Sequence, residues 1–131
     1  MNWTDWYDAL AKPSWTPAPA TIMWIWGLLY PVILVSFGYV FVQGFRGALP
    51  RRVVLPFALN LIANLLFMPL FSGLRSVPLA TADILIVWVT LIWCGTAVWP
   101  HFRWVALVQG PYFAWVSVAT ALQLSIAWMN R

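Results

Sequence analysis

Polar residues gather in three short clusters that divide the chain into four apolar stretches, approximately residues 21–43, 53–71, 79–99 and 104–129. Each can cross a hydrocarbon core of about 30 Å, which takes roughly 20 helical residues at about 1.5 Å apiece. Backbone groups in lipid must pair within their own element. The stretches are twice the length of barrel strands and lack strict alternation, so they predict helices. The breaks hold Gly44, Arg46, Gly47, Pro50, Arg51 and Arg52, then Ser72, Gly73, Arg75 and Pro78, then Pro100, His101 and Arg103. Connections this short make neighbouring helices antiparallel. The expected fold is an all-α integral membrane protein, an up-down transmembrane helix bundle forming one domain over residues 1–131. Residues 1–20 form a loop ahead of the first span.

Periodicity within the spans puts the unusual residues on defined faces. Asn60, Asn64, Phe67 and Phe71 recur at helical spacing on the second span, placing two amides and two aromatics on one stripe. An unpaired buried amide costs about 2 kcal/mol or more, so this stripe points to other helices or to a cavity, as interhelical glue or as a wall. Asp83, Thr90, Cys94 and Ala97 share a face of the third span. Asp83 either caps or pairs near the start of its helix, or serves inside the bundle. Trp115, Ala119, Leu122 and Ile126, with Tyr112 one turn earlier, line the last span, and Trp26, Tyr30, Ile33 and Phe37 line the first. Aromatic stripes commonly pack as core. Several converging in one small bundle also suit a large, flat, mostly apolar ligand. Pro31, Pro56, Pro69 and Pro111 lie inside spans and can kink them.

Composition supports a membrane location: 63% of residues are apolar, 8% are charged, and glutamate is absent. The formal charge of +4 is spread over loops and ends without a basic stripe interleaved with stacking aromatics, which argues against nucleic acid. Arg46, Arg51, Arg52 and Arg103 share one side of the membrane, against Lys12, Arg75 and Arg131 on the other, favouring both termini outside the cytoplasm. Trp99 and Trp104 flank the last short loop as interfacial anchors. Residues 1–12 lack the pattern of a secretory signal. The single Cys94 forms no internal disulfide, and His101 reads as a solvated loop residue. No catalytic arrangement, phosphate loop or metal-ligand cluster is present, so no catalytic or metal site is expected.

Trp6-Tyr7, Leu10, Lys12-Pro13, Trp15 and Pro17, followed by Trp26 and Tyr30, resemble the pattern W-Y-x-x-L-x-K-P-x-W-x-P-P leading into a W-x-x-L-Y helix. This is the pattern of the tryptophan-rich sensory protein, or translocator protein (TspO), family. Asn64, Phe67, Pro69 and Phe71 resemble that family's N-x-x-W-x-x-x-F-F segment. Pro111-Tyr112, Trp115, Ala119 and Asn130 resemble its closing helix. Departures are Ala18 for a proline, Phe67 for tryptophan, Ser72 for phenylalanine and Gln123 for asparagine. Family members normally have five helices, with one before the W-Y loop. Only five residues precede Trp6 here, so either the start was assigned late or this is a four-helix variant.

The resemblance implies a membrane receptor or sensor that binds porphyrins or related tetrapyrroles, protoporphyrin IX or haem-like, and regulates their level under stress. Alternatives are light-dependent porphyrin degradation and transport of apolar ligands. Carried over residue by residue, the site would comprise Tyr7, Trp15 and Pro17 from a lid loop, and Trp26 and Tyr30 from the next helix. Asn64, Phe67, Phe71, Trp115, Ala119 and Leu122 would complete it. No cofactor is required. Membrane lipids and a second copy of the chain are the expected partners, and a bacterial cell membrane the expected location. The family's sterol pattern needs a basic residue soon after a tyrosine, and Tyr112 has none before Arg131.

Overall fold

The computed structural model describes residues 8–130, the side chain of Ser72 apart. Four spans within them are long and apolar enough to cross a membrane. The first, α1, runs Pro19–Phe45. Pro19 opens it, where a missing N–H costs nothing. Its 27 residues make about 40 Å of helix, enough to cross with tilt. A close turn leads into α2, Arg51–Met68. Gly47 takes φ 78° there, a conformation that side chains disfavour. A Cβ at Gly44 would lie 2.8 Å from Val54 Cγ2, so glycine lets the two helices meet at this turn.

The second span ends in a π-helical turn, Pro69–Gly73. Leu74 N–H there donates five residues back to the Pro69 carbonyl at 2.9 Å. α3, Val77–Val98, is capped by Ser76, whose side chain accepts from Leu79 N–H. The capping role open to Asp83 is therefore filled by Ser76.

The last span differs from the single helix that its apolar run predicts. It divides into α4, Arg103–Val108, and α5, Gly110–Met129, with a turn at Gln109. Pro111 is the cause: it offers no N–H to the Leu107 carbonyl and its ring crowds that turn.

The helices alternate in direction, so the bundle has two ends. One carries the loop before α1 and the α2–α3 connection; the other carries the α1–α2 and α3–α4 connections with their arginines. α3 packs along both α2 and α5, while α1 closes the bundle through lighter contacts with α2, α4 and α5. The core runs through all spans, from Ile33 and Phe37 through Phe57 and Val87 to Tyr112 and Val116. Phe37 and Phe57 meet edge to face at 4.9 Å. Large apolar side chains such as Met23, Trp24, Leu34 and Phe45 face outward, as a surface bathed in lipid requires.

Candidate functional site

At mid-depth the polar side chains of four spans form one hydrogen-bonded line. Asn60 Nδ2 donates to the Val87 carbonyl at 2.9 Å and to Thr90 Oγ1 at 3.0 Å. A carbonyl can only accept, so the Asn60 amide has one orientation, and its Oδ1 must face Tyr112. Tyr112 Oη donates to it at 2.8 Å. Asn64 Nδ2 in turn donates to Tyr112 Oη at 2.7 Å. Tyr30 Oη gives its proton to Asn64 Oδ1 at 2.8 Å. Direction is thus fixed from α3 to α1: each amide satisfies its neighbour, and Tyr30, having spent its only proton, offers anything beyond it an acceptor alone.

Aromatic rings cluster beside the Tyr30 end of this line. The Trp26 ring centroid lies 5.5 Å from that of Tyr30, and 6.4 Å from those of Tyr112 and Trp115. The Trp26 and Trp115 planes stand 85° apart, the edge-to-face arrangement that ring quadrupoles prefer. Trp115 is only 9% exposed, yet its Nε1 has no hydrogen-bond partner. A buried N–H in that condition costs about 1 to 3 kcal/mol. Asp83, 5% exposed, likewise has an unpartnered Oδ2. It lies one helical turn from Val87, towards the loop end. The four-span line is satisfied, whereas Trp115 Nε1, Asp83 Oδ2 and Gln109 Oε1 are the buried side-chain atoms left without a partner among the described residues.

The loop ahead of α1 is fastened to the far end of α5. Ala11 N–H donates to Asn130 Oδ1 at 3.0 Å, and Asn130 Nδ2 donates back to the Ala11 carbonyl at 2.8 Å. Lys12 Nζ ties the loop to itself through the carbonyls of Asp8 and Leu10.

The model of the TspO/MBR family matches residues 1–129. The chain belongs to the TspO/MBR family. Among curated relatives, it is 39% identical over 88 residues to the tryptophan-rich protein TspO of Bacillus cereus, covering 66% of this chain and 56% of that protein. It is 28% identical over 125 residues to protein CrtK of Rhodobacter capsulatus, covering 95% and 78%. It is 33% identical over 85 residues to the human translocator protein, covering 63% and 49%. The chain thus spans about half the length of the first and third of these.

The residues that the family resemblance nominates divide into groups. Trp26, Tyr30, Asn64 and Trp115 come together, joined through Tyr112. Phe67 and Phe71 stack at 5.5 Å with planes 9° apart, packed with Ala80 and Leu10. Ala119 packs on the main core, and Leu122 is buried. Trp15 is 50% exposed and makes no ring contact among the described residues, and Pro17 is half-buried. Tyr7 lies outside the described residues.

Tyr112, Asn60 and Thr90 are missing from the sequence-derived set although they hold it together. Tyr112 shares its stripe with Trp115 and Ala119, a signal that could have included it. Gln123 donates to Thr81 Oγ1 at 3.1 Å, tying α5 to α3.

Proposed function

We propose that the chain is a membrane receptor or sensor that takes a porphyrin or related tetrapyrrole against the Trp26, Tyr30 and Trp115 rings. The unpartnered Nε1 of the buried Trp115 carries this proposal. A membrane bundle has no water to satisfy such a group, and a ligand with an acceptor at its edge would relieve the cost. Tyr30 Oη adds the complementary acceptor, able to accept a hydrogen bond from a pyrrole N–H or a protonated acid. Three aromatic faces supply the apolar contact that a flat macrocycle needs. Family membership points the same way.

The membrane is proposed to be a bacterial cell membrane, with the arginine end towards the cytoplasm and both termini outside. The apolar outer faces suit pairing of two copies in the bilayer.

The test is a titration of the detergent-purified chain with protoporphyrin IX, read by intrinsic tryptophan fluorescence and by the shift of the porphyrin's main absorption band. Saturable one-to-one binding is expected, weakened about ten-fold in Trp26→Ala, equivalent to about 1.4 kcal/mol. Quenching that rises without saturation, as in empty micelles, contradicts the proposal.

A further inference from the structure

A groove of about 580 Å³ runs down the outside of the bundle between α3 and the broken last span, away from the ring cluster. Leu91 and Phe113 line it at mid-depth, and Trp99 lines its upper end. Between Leu91 and Trp99 the helix rises about 12 Å, close to the roughly 15 Å depth of one leaflet. Small residues make the groove: Gly95, Ala106 and Gly110 line it where the helix breaks at Gln109. A Cβ at Gly95 would meet nothing within 4 Å.

The end at which this groove opens is purely basic. Arg46, Arg51 and Arg52 lie in or next to the α1–α2 connection and Arg103 follows the α3–α4 connection, while the acids are Asp5 and Asp8 before α1 and Asp83 within α3. These four arginines equal the chain's whole net charge of +4. Arg103, itself exposed, holds its guanidinium 5.3 Å from the Trp99 ring centroid, at the rim of the groove.

We propose that this groove is a site for an anionic phospholipid of the surrounding bilayer, with an acyl chain along Leu91, Gly95 and Phe113 and the phosphate on Arg103. A phosphate takes the two-pronged hydrogen bonding that a guanidinium offers, and basic sites at this membrane depth select anionic headgroups. Charge argues for this occupant: an anionic headgroup offsets the four arginines of this end, and Arg103 stands at the rim of the groove over Trp99. The site is separate from the proposed tetrapyrrole site and stands without it.

Native mass spectrometry of the full chain, titrated with phosphatidylglycerol or with phosphatidylcholine of the same acyl chains, tests it. One phosphatidylglycerol per chain is expected, bound about five-fold more tightly than phosphatidylcholine, the worth of roughly one arginine contact. Arg103→Gln, at an exposed position, should bring the two lipids to parity. Gly95→Leu should weaken both by filling the groove, with helical circular dichroism unchanged. Equal retention of both lipids by the unaltered chain overturns the proposal. So does a preference that survives both substitutions, or a concentration-dependent dimer abolished by Gly95→Leu while lipid binding is unchanged.

Discussion

Two sets of buried polar groups lie side by side in this bundle, and they differ in completeness. The line from Thr90 through Asn60, Tyr112 and Asn64 to Tyr30 closes on itself, with an acceptor for every proton that matters. One turn along α5, Trp115 Nε1 has none, and one turn along α3 from Val87, Asp83 Oδ2 has none. Depth does not separate the two sets, since Asn64 at 7% exposure and Trp115 at 9% are equally buried. What separates them is place: the line sits where four spans converge, Trp115 and Asp83 lie a turn towards the loop end, and the unpartnered Oε1 of Gln109 lies a turn towards the arginine end. A closed network resists exchange of partners and holds helices together. Open valences beside aromatic faces are where a ligand gains.

Breaking the closed set should have the largest effect. Asn60→Ala strands the Tyr112 proton and removes the donor to Val87 and Thr90, so unfolding in detergent should cost about 2 to 3 kcal/mol less. That exceeds the roughly 0.6 kcal/mol average for one interhelical hydrogen bond in a membrane protein, because three bonds go together. A change below that average would mean the line is slack. The open set should respond in the opposite direction. Asp83→Ala removes an unpartnered buried acceptor and should stabilise by about 1 kcal/mol, seen as a higher unfolding midpoint; a loss of stability would reveal a partner for that carboxyl.

The smallest effect is expected at the periphery. Asn130→Ala releases the loop from α5 and should cost about 0.5 to 1 kcal/mol locally. Chymotryptic cleavage after Leu10, next to the Ala11 backbone that Asn130 holds, should accelerate several-fold while global unfolding stays in place. Unaltered cleavage would show that the loop is held by other contacts.

The spans were legible from hydropathy alone because lipid imposes length and apolarity on them, and their observed ends lie close to the expected ones. The break at Gln109 was not. Pro111 is visible in the sequence, but proline is tolerated in membrane helices, and whether it bends or interrupts one depends on packing around it. Likewise the α2 stripe announced that Asn60 and Asn64 face inward, leaving open whether they served as glue or wall. That depended on which residue of another span stood opposite, a matter of register that no single stripe contains. Both asparagines bridge spans, Asn60 to Thr90 and Tyr112, and Asn64 to Tyr112 and to Tyr30 beside the ring cluster. The missing partner of Trp115 was invisible for the same reason.

The most direct test is to measure porphyrin affinity and unfolding stability on one preparation of Trp115→Phe. This substitution keeps an aromatic ring against Trp26 and deletes the unpartnered N–H. Protoporphyrin IX affinity should fall about ten-fold, about 1.4 kcal/mol, while the unfolding midpoint holds or rises. Affinity that is unchanged, or that falls only in step with stability, would contradict the claim that this buried N–H is kept for a ligand.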